Sequence, residues 1–249
     1  MREEFQNSHL WAKRFLPHYH ASEKLQLITY RLADSLPQNV LIDKLNTMPG
    51  VPHSDAGTKS ISTPGAPHSD AGKKAHYRKT VEAILDHGYG SCLLQIPSIA
   101  QKVIESWTYF DKKRYDLIAY VVMPNHVHVL IKTYENFKLG KIIWSWKRHV
   151  SKFVFENKEY LRVFDESMKQ LFKIDLVSRA PESKQRFIKP ASECGAPGKN
   201  RSLWQREYWD RFIRDEQHFL SAITYIHENP VKAGLVGECK DWQWSSASK

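Results

Sequence analysis

With 249 residues and 41% hydrophobic side chains, the chain can bury one substantial core, and a single domain over 1–249 is the simplest organisation. Lys and Arg outnumber Asp and Glu by 37 to 27, a formal charge of +10 that favours an anionic partner without separating DNA from RNA or a membrane surface. No run of about twenty apolar residues exists and residues 1–7 are polar and acidic, so neither a membrane span nor an export leader is expected. Cys92, Cys194 and Cys239 lack the paired spacing of a zinc site or a disulfide framework, which points to free thiols in a reducing cytoplasm.

In chain order, residues 25–32 alternate, with Leu25, Leu27, Thr29 and Arg31 on one face and Ile28, Tyr30 and Leu32 on the other: a first strand, ended by Asp34-Ser35-Leu36-Pro37. Residues 47–74 are Gly-, Pro- and Ser-rich and contain a near-exact repeat, Pro52-His53-Ser54-Asp55-Ala56-Gly57 and Pro67-His68-Ser69-Asp70-Ala71-Gly72. Such a stretch cannot bury enough apolar surface to offset its ordering entropy, and its His and Asp have no scaffold to make them ligands, so a flexible insert is expected. A helix over 74–86 follows, with Val81, Ile84 and Leu85 on one face and a Gly88-Tyr89-Gly90 breaker behind it. Ser98 is expected to cap a second helix running toward Phe110, whose Ile99, Val103, Ile104, Trp107 and Phe110 recur at helical spacing.

The apolar run 117–122, the turn Met123-Pro124-Asn125 and a second strand from His126 read as a hairpin. A third helix over 139–155 buries Ile142, Ile143, Trp146, Val150 and Phe153 and displays Lys141, Lys147, Arg148 and Lys152; that basic stripe is either a phosphate-facing surface or a solvated helix face. Residues 176–202, polar and carrying Arg179, Lys184, Arg186, Lys189, Lys199 and Arg201, read as a mobile loop. A last helix over 215–229 is expected to end at Pro230, which lacks an N–H and restricts Asn229. Together these give an α+β architecture, an antiparallel sheet with helices packed on it and flexible polar insertions.

Because strand side chains alternate, His126 and His128 share one face while Val127, Val129 and Ile131 line the other. Two imidazoles so placed can chelate a metal, or can be two half-buried histidines. Tyr225 and Asn229, four residues apart on the last helix, fall on one flank with His218, while Phe219, Ile223 and Ile226 share the buried face. A phenol and an amide oxygen beside the imidazoles would supply a nucleophile and a third metal ligand; alone, they read equally as a packing aromatic and a helix cap. Trp204, Tyr208 and Trp209 sit among Arg206, Arg211 and Arg214, a mixture suited to stacking unpaired bases, unless the tryptophans are core anchors.

The motifs Met123-Pro124-Asn125-His126-Val127-His128 and Tyr225-Ile226-His227-Glu228-Asn229-Pro230-Val231-Lys232-Ala233-Gly234-Leu235 resemble the REP-associated tyrosine transposases, single-tyrosine transposases of the His-hydrophobic-His class. The intervening block 203–216, together with Leu16-Pro17-His18 and 30–37 near the start, extends the resemblance over most of the chain. It implies a ferredoxin-like nuclease core and a cut in single-stranded or hairpin DNA of REP-type palindromes, made by Tyr225 through a 5′-phosphotyrosine. It also implies a magnesium or manganese ion held by His126, His128 and Asn229. Lys147, Arg148, Arg206, Arg211, Arg214, Lys232, Trp204 and Trp209 are the expected DNA contacts, Lys232 near the reacting phosphate. A cytoplasmic, nucleoid-associated monomer or homodimer without membrane contact would follow; the alternative is a non-cleaving DNA-binding regulator derived from a transposase. The chain end, Asp241-Trp242-Gln243-Trp244-Ser245-Ser246, departs from the family at Gln243, where Pro is commoner.

Overall fold

The computed structural model describes residues 11–12, 18–19, 23–37, 40–41, 70–177 and 201–249. Four antiparallel strands form its main sheet: β1 (Leu25–Arg31), β2 (Tyr115–Val122), β3 (His126–Thr133) and β4 (Trp209–Phe212), in the spatial order β2-β3-β1-β4. Among the described residues, these helices accompany it: α1 (Asp70–Asp86), α2 (Pro97–Thr108), α3 (Leu139–Glu156), α4 (Lys158–Val177) and α5 (Glu216–Lys232). The expected α+β class is therefore observed. Among the described residues no helix is long and apolar enough to cross a membrane, and Cys92 and Cys239 are free thiols; Cys194 and the stretches 42–69 and 178–200 lie outside the described residues.

The strand alternation divides the protein into two layers. Ile28, Tyr30, Val127, Val129, Ile131, Tyr120 and Val122 face the larger core, which α2, α3 and α4 complete with Val103, Trp107, Trp146, Val150 and Phe164. Two buried indole donors are satisfied inside it: Trp107 Nε1 donates to the Tyr30 hydroxyl at 3.0 Å and Trp146 Nε1 to the Tyr115 hydroxyl at 2.9 Å. On the opposite face Leu27, Ala119, Val121, Met123 and Leu130 pack against Ala222 and Ile226 of α5. Val81, Ile84 and Leu85 of α1 form a third cluster with Leu36 and Leu41, against which Trp209 leans.

Several boundaries depart from sequence expectation, each for a local reason. Helix α1 opens at Asp70 rather than Lys74, taking in the end of the second repeat. Ser98 does not cap α2: Pro97, with its fixed φ, occupies the first turn after an extended Ile96, and the Ser98 hydroxyl instead meets the Tyr160 hydroxyl at 2.8 Å. Helix α5 continues through Pro230, because the turn beyond it is closed by Ala233 N–H to Asn229 C=O at 3.0 Å. The stop comes at Gly234, whose φ of +70° ends the helix; Gly234 N–H bonds Val231 C=O and Leu235 N–H bonds Pro230 C=O, both at 2.9 Å. This is a Schellman cap, and its apolar companion Leu235 packs on the α5 core.

Two further features hold the site in place. Beyond α5 the chain runs back along the outer edge of β2: Val122 N–H donates to Trp244 C=O and Trp242 Nε1 to Val122 C=O, each at 2.9 Å, while Ser245 bridges Val121. The outer N–H groups of Val122 and Tyr120 are thereby paired, the latter with Ser246 Oγ at 3.0 Å. Gly90, at φ +92°, passes so close to β1's exit that a Cβ there would lie 2.5 Å from the Asp34 carbonyl oxygen, while Ser91 N–H donates to Asp34 Oδ2 at 2.7 Å. Gly90→Ala is accordingly expected to cost at least about 1–3 kcal/mol in backbone strain alone, read as a lowered urea midpoint; an unchanged midpoint would show that the loop relaxes freely.

Candidate active site

The hairpin β2–β3 is closed by Met123 N–H to His126 C=O at 2.9 Å and puts both imidazoles on the α5 side of the sheet. In the β1–β3 ladder Arg31 stands opposite His126 and Thr29 opposite His128. The two rings lie edge to face with centroids 4.9 Å apart, and both residues are almost completely buried. The tautomer of His126 follows from its neighbours. The Asn125 amide nitrogen donates to Tyr89 C=O at 2.9 Å, so its oxygen is the atom 2.8 Å from His126 Nδ1, which must carry the proton. His126 Nε2 therefore presents a lone pair to the site. Thr29 Oγ1 contacts His128 Nδ1 at 2.7 Å and steadies the orientation of that ring. Burial holds the His128 pKa down to about 3. Burial, His128 and Arg31 keep His126 well below the ordinary histidine range, so both rings are neutral donors at physiological pH.

Helix α5 brings the remaining groups. Asp215 caps it by accepting from His218 N–H at 2.8 Å, and Ile226 and Ala222 seat it on the sheet. Tyr225 then reaches His128: the rings are 5.0 Å apart and the hydroxyl is 3.5 Å from Nε2. Burial and the nearby carboxylates Glu82 and Asp86 push the phenol's pKa above its ordinary value, against the neighbouring Asn229 side chain and Arg78, which pull it down. Asn229, 2% exposed, keeps its side-chain oxygen buried with no hydrogen-bond partner. An orphaned amide oxygen is costly unless something is meant to meet it. Two neutral imidazoles and this oxygen fit a small divalent cation. Among the described residues no three His, Cys, Asp or Glu side chains converge at ligating range, and the third donor here is an amide.

Next to Tyr225 opens a cleft of about 270 Å³ walled by α1 (Arg78, Lys79, Glu82), β4 (Trp209, Asp210, Arg211) and α5 (His218, Ser221, Tyr225). Lys232 Nζ lies 5.4 Å from the centre of the Tyr225 ring. Of the expected DNA contacts, Trp209, Arg211 and Lys232 thus gather around the tyrosine, and Arg214 is exposed just before α5. Lys147 and Trp204 do not belong with them. Lys147 Nζ donates to Gln205 C=O at 2.9 Å, Trp204 is 2% exposed and donates from Nε1 to Lys147 C=O at 3.1 Å, and both sit against Tyr30 on the other face of the sheet. They pin the 204–206 segment to α3, a core role that helical spacing alone could not separate from a surface one. Arg148, stacked 5.3 Å from the exposed Trp144 ring, and Arg206 are likewise on or beside α3, away from Tyr225. Sequence reasoning missed Arg78, Lys79, Glu82 and Asp86; their signal was the i, i+4 charge pattern opposite Val81 and Leu85, with Arg78 Nε 3.4 Å from Glu82 Oε1.

Residues 97–174 match the family model of IS200-like transposases, a segment that holds both histidines and ends before Tyr225. The chain is 33% identical over 72 residues to the REP-associated tyrosine transposase of Escherichia coli K12, covering 29% of this chain and 39% of that protein. It resembles the REP-associated tyrosine transposases. A Haemophilus influenzae protein provisionally given that name is 25% identical over 132 residues, covering 53% of this chain and 58% of the relative. The matches to these REP-associated transposases therefore span about half of the relatives' lengths or less. A solved structure of a REP-associated tyrosine transposase bound to a REP hairpin superposes with a TM-score of 0.43 at 13% identity, over 94% of this chain and 82% of that one.

Proposed function

We propose that this chain is a tyrosine transposase that cuts and rejoins single-stranded or hairpin DNA through Tyr225, with magnesium or manganese held by His126, His128 and Asn229. The observation that supports this most directly is the Tyr225 hydroxyl, on the wall of a cleft that also carries Arg78, Lys79 and Arg211, lying 3.5 Å from His128 Nε2 one helical turn before the buried Asn229, whose side-chain oxygen has no hydrogen-bond partner. When bound, the cation would supply Lewis acidity at a non-bridging phosphate oxygen. Arg211, Lys79 and Arg78 offer the cleft its positive wall for a phosphate backbone, and the half-buried Trp209 ring offers a flat surface for an unpaired base.

In the step itself the Tyr225 oxygen bonds to phosphorus and the bond from phosphorus to the 3′-oxygen breaks. The phenol gives up its proton and the leaving oxygen gains one, leaving a 5′-phosphotyrosine and a free 3′-hydroxyl. The reverse attack by a 3′-hydroxyl restores the phenol and rejoins or transfers the strand with no other energy source. Lys232, beside the ring, adds positive charge where the phenol gives up its proton.

The test is a denaturing gel of the full chain with labelled hairpin DNA from repeats flanking its own gene, with manganese or magnesium. A covalent protein–DNA band that falls by at least about 100-fold in His126→Ala is the expected result, since Lewis-acid assistance contributes several kcal/mol. A native-gel shift without any covalent band under either metal would replace this reading with that of a DNA-binding regulator that does not cut.

A further inference from the structure

We infer that Asp86, the last residue of α1, is a fourth protein ligand of the cation site, supplied by a helix outside the sheet and the tyrosine helix. The inference rests on the proposed cation between His126, His128 and Asn229. Asp86 Oδ1 lies 3.9 Å from His126 Nε2. That nitrogen carries a lone pair, because Asn125, fixed by its bond to Tyr89 C=O, forces the ring proton onto Nδ1. With Asp86 ionised, two acceptors therefore face one another across this gap. An ion binding donors at about 2.1 Å separates neighbouring ligands by about 3.0 Å and opposed ones by about 4.2 Å; the observed gap falls between.

The position of Asp86 on its helix points the same way. It stands at the C-terminal end of α1, where the helix dipole is negative, with no basic residue in the last turn and Glu82 one turn earlier. A carboxylate placed there works against its helix unless a cation meets it. The basic side chains near it are His87, next in the chain, and Lys232, which is exposed and lies over the Tyr225 ring. Asp86 does not yet converge with both histidines, and at 30% side-chain exposure it can turn inward to close the set. With it the donors become two nitrogens and two oxygens, one of them charged, a harder set than the imidazole pair alone and one that admits magnesium as well as manganese.

The experiment is isothermal titration of the metal-free full chain with manganese and with magnesium, for wild type, Asp86→Asn and His126→Ala, with thermal midpoints of the metal-free proteins alongside. Asp86→Asn should weaken manganese binding by at least tenfold and magnesium binding by more, with an unchanged or raised metal-free midpoint; Asp86→Glu should restore part of the affinity. If Asp86→Asn binds both ions as wild type does while His126→Ala binds neither, Asp86 is no ligand and the three-residue site stands. If His126→Ala also binds as wild type does, the cation site itself is wrong and the role of Asp86 falls with it.

Discussion

Tyr225→Phe should abolish the covalent protein–DNA band, by at least about 10³-fold, while hairpin binding stays within about twofold and the fold is undisturbed. The substitution removes one oxygen and keeps the ring that packs against His128 and the α5 core. Its hydroxyl contact with His128 Nε2, at 3.5 Å, is long for a hydrogen bond, so stability should move by no more than about 1 kcal/mol. Losing the band without losing binding or stability would separate a nucleophile from a packing aromatic. The other hydroxyl on the same helix and cleft, Ser221, donates to Gln217 C=O at 2.7 Å one turn back. A covalent band that persists in Tyr225→Phe would remove Tyr225 from the chemistry and turn attention to that serine.

The second large effect lies on the other side of the sheet. Trp107→Ala is expected to cost about 3–5 kcal/mol for the lost ring and the cavity it leaves, plus about 1–3 kcal/mol because the buried Tyr30 hydroxyl loses its donor. Against a total of about 5–15 kcal/mol for a domain, that leaves little, and the thermal midpoint should fall by more than about 10 °C. Trp107→Phe keeps most of the ring volume, including the contacts to Tyr120 and Trp146, and should lose only the hydrogen-bond share. Circular dichroism melts of both variants test this; a midpoint within about 3 °C of wild type for Trp107→Ala would mean the aromatic network does not hold the layer together.

What could be read from the chain alone was whatever rests on local period. The alternation from Leu25 to Leu32 and the placement of both histidines on one face survive intact, because a one-residue slip would exchange the set facing the larger core with the set facing α5. The flank of α5 that joins Tyr225 to Asn229 follows from helical spacing in the same way. Pro230 removes one hydrogen bond without ending the helix, whereas Gly234 carries the backbone conformation that does end it. Helix α4 was assigned no element, although Phe164, Met168 and Leu171 recur at helical intervals. The α1 residues were out of reach for another reason: nothing in the order of the chain says that Asp86 returns to His126 from forty residues upstream, since that contact is set by how α1 seats on Leu36 and Leu41. Trp204 and Lys147 show the converse, residues whose type suits a nucleic acid but whose neighbours claim them for the core.

The strap along β2 has a mechanical meaning. Helix α5 is fastened ahead by β4, whose Trp209 pairs with Thr29, and behind by the 242–246 segment hydrogen-bonded to Val122 and Tyr120. His227, two residues past the tyrosine, is tied to the same strap through Ser246 at 2.8 Å. A helix anchored at both ends could be lent to a second subunit only by peeling a strand edge, so its phenol stays beside the imidazoles of its own polypeptide. Under the proposed function, each chain would carry its own nucleophile and cation ligands, and a second chain would not be needed to complete the set.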